Sequence, residues 1–553
     1  MGLFIHTYIQ PERIDPAEWE AAYQDSLRLL QHFPGSLIRL DRRRVGEFTR
    51  YVLTDNIVCE RDTDDEHWSI CGDSLSARRA EKFAMYRSLP RQVQGIQKTA
   101  PQSEEILWAA TDSIDYIDSS GVDIFGAKTQ GYPYHLAVLA VGILLENRFA
   151  GRCFVCGDID GHQAGHMLMW INGVLGVELQ LPVCVDGKRL YRRLDQAYSD
   201  PVLAIERFET LFRGTNEEEL QLLSECAPAD ALHRRLAARI GGYHSLHQLG
   251  AKGIVAQYLA VVGKLDPLLA LIATANRSRE TPFPLEQLLE VVCNLFVTLP
   301  YEERQALMAL ARDGNELATI GDTLSRVFQT LAGTPTDTAF YLDKAELLDY
   351  FARLAPQQRS AFAKIIDDAE ARCRASLATM SAAMDETANT DTVARALAVD
   401  GGVLVTECEE DAGGDGQAPD RDEPQAAHPG AAYILDQIHS QRESFPAPVK
   451  TAQEFGDFLR RTIAGNPGQF NDDARDHYLH LIGFGIQENG IPLAETAWQA
   501  IDREMDIVVL KHLAAFILVR EREIAFWRWR IYILEHPQLW PHLVTPPDAA
   551  LPI

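Results

Sequence analysis

The stretch GYPYHLAVLAVGILLENRFAGRCFVCGDIDGHQAGHMLMWINGVLG, residues 131–176, decides the reading of this chain. It opens with a run carrying Leu136, Leu139, Val141, Ile143, Leu144 and Leu145 and almost no charge. That run is too long for a strand and too short to span a bilayer, so it predicts a buried helix over 134–147. Arg152-Cys153-Phe154-Val155-Cys156 follows, a short β-prone run suited to a central strand. Gly157-Asp158-Ile159-Asp160-Gly161 breaks it, and a second helix is expected over 161–174. Asp160 is placed to cap that helix, with Gln163 three residues on to close a capping box. Helix, strand, helix in close succession implies a layered α/β arrangement with this unit near its centre.

The same stretch holds the densest reactive chemistry in the chain. Asp158 and Asp160 stand at the end of the strand, and His162 and His166 are four apart on one helical face. A HxxxH pair beside carboxylates has the donor set for Zn²⁺ or a similar ion. It lacks the intervening Glu that serves as general base in the HExxH metalloproteases. Cys153 and Cys156 have CxxC spacing, but a strand points them to opposite faces, and no second CxxC completes a four-cysteine site. Ordinary structural work, as caps, turns and core thiols, competes with every one of these readings.

Working outward, residues 1–198 read as one α/β or α+β domain. A strand is expected over 3–9 and a helix over 16–30 capped by Asp15. An antiparallel pair is expected over 51–60 and 67–71, joined by the acidic connection 61–66, then a helix over 76–89 and short strands over 105–110 and 181–185. Asp112, Asp115 and Asp118, with Asp123 beyond, carry oxygen ligands at a spacing that suits Ca²⁺ or Mg²⁺ but lack the loop pattern of an EF-hand.

Residues 199–396 read as all-helical, with periodic apolar segments throughout, including one at 267–275 capped by Asp266. Residues 397–430 read as a flexible linker: 400–423 holds nine acidic residues, among them Glu407, Glu409, Glu410 and Asp411, against Arg421 alone, with paired glycines and flanking prolines. Residues 431–553 read as a C-terminal helical domain, with helices expected over 452–464, 472–487, 492–504 and 506–534. The last carries Phe526-Trp527-Arg528-Trp529-Arg530, arginine interleaved with aromatic rings as in single-stranded nucleic-acid platforms, though the spacing suits internal packing better. The fold class expected is therefore mixed, an N-terminal α/β or α+β domain followed by mainly α-helical domains.

Composition bounds the function. Lys and Arg number 52 against 79 Asp and Glu, a formal charge of −27. That disfavours nucleic-acid phosphates and anionic membrane surfaces and favours a basic protein partner. No basic n-region with an apolar run opens the chain, no apolar run reaches a membrane-spanning length, and nine scattered cysteines suit reduced thiols. Cytoplasmic location is the expectation. No phosphate-binding glycine loop, serine elbow or kinase set is present, and no cofactor is implied. The leading expectation is a bacterial-type interaction protein, an immunity or regulatory partner of a basic protein. One alternative is an enzyme with a metal site at Asp158, Asp160, His162 and His166. Another is a defence or signalling component whose acidic linker is proteolysed or bound to release the C-terminal domain.

Overall fold

The computed structural model describes residues 3–96, 105–109, 121–295, 297–298, 341–372, 428–472, 474–520 and 524–545. The acidic linker, with Glu407, Glu409, Glu410 and Asp411, lies outside the described residues, as do Asp112, Asp115 and Asp118. An N-terminal sheet-containing region is followed by many helices, so the chain is mixed α/β and then α-helical. It divides into two compact units, Met1–Asp186 with Pro424–Ile553, and Gly187–Glu423. Among the described residues no helix is long and apolar enough to cross a membrane.

In the first unit, β1 (Phe4–Ile9) is the middle of a small antiparallel sheet. On one side it pairs with β9 (Cys153–Gly157), Ile5 to Gly157 through Ile9 to Cys153. On the other it meets two short strands, β7 (Val122–Asp123) and β8 (Ala127–Lys128). Helices α1 (Pro16–Gln31), α3 (Tyr134–Arg148) and α4 (Gly161–Leu175) pack on one another, α3 also packs on β1 and β9, and a single turn of helix, α2 (Leu89–Gln92), comes between α1 and α3 in sequence. Every residue of α3 from Tyr134 to Glu146 is buried. Its close approach to the sheet needs Gly142, where a Cβ would stand 2.6 Å from Val155. Asp15 caps α1 as its position before Pro16 dictates, accepting from Ala17 N at 2.8 Å and Glu18 N at 3.3 Å.

The second sheet runs β10-β3-β2-β5-β4, with β6 also on β5. It is built from β2 (Leu37–Val45), β3 (Phe48–Thr54), β4 (Val58–Cys59), β5 (His67–Asp73), β6 (Arg79–Tyr86) and β10 (Pro492–Ala494). Residues 79–86 are a strand, not the helix that Ala80, Glu81, Lys82 and Ala84 suggested. Phe83 and Met85 alternate into the core, and that period of two prevails over helix propensity. Residues 106–109 form a 3₁₀ turn, not a strand. Residues 181–185 also form no strand: Val185 N and Asp186 N bond back to Pro182 O at 3.1 and 3.2 Å, closing a turn.

The later helices of this unit include Ala431–Gln441, Pro448–Gly465, Arg475–Asn489, Glu495–Arg503, Ile507–Leu518 and Ile524–Glu535, with short turns of helix at Pro467–Phe470 and Trp540–Val544. The run expected as one helix over 506–534 is two, and Arg530 Nη2 donates to Val519 O at the end of the first. The segment expected as a helix over 492–504 begins as β10, parallel to β3, before turning helical at Glu495.

The second unit stacks helices α5 (Gly187–Ala197), α6 (Pro201–Leu211), α7 (Asn216–Cys226), α8 (Ala229–Gly241), α9 (Leu249–Val262), α10 (Leu265–Asn276) and α11 (Leu285–Asn294). Lys344–Leu354 and residues 359–372 are helical too. Asp266 is not a cap: α10 starts at Leu265, so Asp266 and Pro267 both sit in its first turn, where proline removes no intrahelical bond.

Candidate functional site

The site is assembled where β9 ends and α4 begins. Gly157 has φ +119, and a Cβ there would stand 2.5 Å from Phe4 O, so this turn requires glycine. Asp158 then extends the ladder by one step: its N donates to Phe4 O at 2.9 Å while its Oδ2 accepts from Phe4 N at 2.7 Å. Asp160 is extended and caps α4, its Oδ1 accepting from Gln163 N at 2.8 Å. The expected capping box closes on one side only, because Gln163 Oε1 is buried without a partner. Both carboxylates therefore carry a structural duty, one to a strand amide and one to a helix end.

The two histidines are different. One helical turn apart, they bring Nε2 of His162 and Nε2 of His166 to 3.2 Å. Tyr433, on the Ala431–Gln441 helix, lies flat on the His166 ring at 4.2 Å between centroids and 6° between planes, and edge-on to His162 at 5.3 Å. The chain entering that helix is laid against α4 at Gly430, with φ +88, where a Cβ would stand 2.4 Å from His166 O. Burial raises the Tyr433 phenol above its ordinary value, and the Asp160 carboxylate adds to the shift.

A third histidine lies deeper. His135, in the first turn of α3, is 3% exposed. Its Nδ1 is 2.7 Å from Thr129 Oγ1, and its Nε2 is buried without a hydrogen-bond partner. Burial pushes its imidazolium down to about 4, with Asp158 and Asp160 pulling the other way. The pair Asp158 and Asp160 thus lies within electrostatic reach of His135, while Tyr433 senses Asp160.

Sequence reasoning missed Tyr433, which lies more than two hundred and fifty residues from α4 and carries no local signal. It also missed His6. His6 Nδ1 is 2.7 Å from Asp123 Oδ2, its ring is stacked between Phe4 and Tyr8, and Cys156 is its partner across the β1–β9 ladder. Asp123 also accepts from Thr7 N at 3.3 Å and Phe125 N at 3.1 Å through Oδ1, so it holds the β1–β7 edge together. Cys153 and Cys156 are both buried and, as strand geometry requires, take opposite faces: Cys153 pairs with Ile9 and Cys156 with His6.

The aromatic and arginine run near the C-terminus is turned inward at Phe526 and Arg530, half-buried at Trp527 and Trp529, and exposed at Arg528. Arg530 is 1% exposed and sits over the Phe526 and Trp527 rings at 4.6 and 5.3 Å. Arg528 pairs with Glu443 at 2.6 Å, and Phe445 packs on both Trp529 and Tyr532. Among the described residues no group of three or more His, Cys, Asp or Glu side chains is arranged to hold a metal ion. Comparison with family models, with curated proteins and with solved structures gives no match. What the chain does must be argued from its own residues.

Proposed function

We propose that this protein is a cytoplasmic, bacterial-type interaction protein that binds a more basic protein, in the manner of an immunity or regulatory partner that covers a functional surface. The observation that carries this reading is the charge, 79 acidic residues against 52 basic, a net −27. A potential of that sign speeds encounter with a cationic surface and repels nucleic acid. The connection between β4 and β5 is one place where the charge is displayed: Glu60, Asp62 and Asp64 are exposed there. Two cations beside that turn are engaged, Arg91 with Asp65 and Arg87 with Glu66, while Arg61 within it is exposed. The arginines of the C-terminal aromatic run are likewise engaged by the protein itself.

The test is capture from the native host at low salt, followed by a 1 M salt wash, where the Debye length falls to about 3 Å. A basic partner in stoichiometric amount at low salt, lost in the wash, is the expected result. Absence of such a partner at low salt would sink the reading. A second reading, an enzyme centred on Asp158, Asp160, His162 and His166, draws support from one feature alone, the convergence of the two imidazoles.

A further inference from the structure

The geometry points to a two-histidine site for a divalent late first-row ion, Cu²⁺, Ni²⁺ or Zn²⁺, held by Nε2 of His162 and Nε2 of His166. Two imidazole nitrogens bound to one ion at about 2.0–2.1 Å, with a tetrahedral angle between them, stand about 3.3 Å apart. The observed separation is 3.2 Å. Two neutral imidazoles can also reach that distance by one donating its N–H to the other, so distance alone does not decide the matter.

The arrangement around the pair adds an independent reason. A surface histidine ordinarily samples several rotamers, and ordering it costs free energy. Here the His166 ring is fixed from outside α4 by the parallel Tyr433 ring. The chain leading to Tyr433 passes His166 O at Gly430, whose left-handed conformation and missing Cβ permit the close approach. Two elements far apart in sequence are thus arranged to hold a pair of nitrogens at the separation a shared ion requires. His162 is exposed and His166 partly so, which leaves the approach open.

Imidazole donors select copper, nickel and zinc over magnesium and calcium, with copper the tightest. The chain supplies two ligands, since no third His, Cys, Asp or Glu joins them among the described residues. The remaining positions of the ion are left for water or for a donor atom brought by another molecule, the open coordination that distinguishes working sites from closed structural ones. This inference is independent of the interaction reading and stands whether or not a basic partner exists.

The experiment is calorimetric titration of the full chain with Cu²⁺, Ni²⁺ and Zn²⁺ salts, each added alone. It compares the wild type with H162A, H166A, the conservative H162Q, the double H162A/H166A variant, and H480A as a control at an exposed histidine of the same unit. One equivalent of ion is expected to bind the wild type and H480A. Affinity is expected to fall by about tenfold or more in each single variant, as loss of a ligand should cost at least what loss of an outer-shell partner does. Far-UV circular dichroism of H162Q establishes that the helix is retained. With Cu²⁺, electron paramagnetic resonance is expected to show coupling to imidazole nitrogens in the wild type and none in the double variant. Binding that persists in the double variant, or no binding to the wild type, overturns the proposal.

Discussion

At the scale of single residues, the protonation of His135 is the most consequential buried feature beside the candidate site. Its imidazolium is held at about 4, well below the ordinary 6.5, because burial excludes the charged form. The unfolded chain therefore binds a proton at higher pH than the native one does. Stability from this group is full above pH 6.5 and is lost as the pH falls through the window down to about 4. The difference amounts to about 3 kcal/mol at most. Replacing His135 with glutamine removes the titration, so the stability advantage of the wild type over H135Q should shrink by about that amount between pH 7 and pH 4. Urea midpoints across the range measure it, and a difference that stays constant with pH would remove His135 from the account. The sequence shows this histidine only as one polar residue in an apolar run. Its neutrality follows from burial in the folded core, against the pull of Asp158 and Asp160, and none of this is local in sequence. His162 and His166, by contrast, were readable from a spacing of four, because one helical turn converts that spacing directly into contact.

At the scale of elements, the second unit contains a charged seam. Glu209 on α6 accepts from Arg235 Nη2 and Arg239 Nη1 on α8, both at 2.7 Å. Glu219 on α7 is half-buried and raised to about 7, first by desolvation and then by the Glu209 carboxylate, with Arg239 and Arg235 offsetting part of the shift. A carboxyl raised on folding contributes stability that is full below its unfolded value near 4.5 and lost as the pH rises through about 7. Glu219→Gln keeps the neutral form at every pH. Relative to the wild type it should gain about 1–2 kcal/mol between pH 5 and pH 8, the full shift being discounted for partial exposure. Thermal melts at the two values test this, and an unchanged difference would show that Glu219 is ionised at little cost.

Elements of this kind were legible where apolar residues recur at 3.6 or follow a cap, as in α1 after Asp15 and α3 within its apolar run. They were not legible where tertiary pairing decides. β6 alternates on so few apolar residues that its alanines, glutamate and lysine mask the period. β10 is three residues long and exists because Leu493 fits beside Val52. The break after Leu518 has no proline or glycine to announce it, and the end is held by the Arg530 guanidinium at Val519 O.

At the scale of the whole molecule, chain order and spatial order part company. Residues 424–553 belong to the same compact unit as residues 1–186, with the second unit inserted between them in sequence. The joint is both polar and apolar. Pro492–Ala494 run parallel to Tyr51–Leu53, Arg50 makes two 2.7 Å bonds to Asp502, and Arg43 pairs with Glu495 at 2.7 Å. Trp498 Nε1 donates to Tyr51 O at 3.2 Å, and Val52 lies in one apolar cluster with Leu493, Trp498, Ile501 and the helices beyond. Each large apolar side chain so buried contributes about 1.5–3 kcal/mol, and this part does not weaken with salt as the ion pairs do.

A cut inside 400–423, the acidic Gly- and Pro-rich stretch, therefore leaves the two halves of one core with no reason to part. A site-specific protease sequence placed there is expected to give two bands under denaturing conditions and one species on size exclusion, at low salt and at 1 M alike. The fragments should separate only in urea, at the concentration where the uncut first unit unfolds. A C-terminal fragment that elutes alone and folded would mean that the shared core contributes little, and a signal released by linker cleavage would then become workable. If the halves stay together, cleavage can relieve a tether between them but cannot free the tail, and any regulation through 400–423 has to act by binding rather than by release.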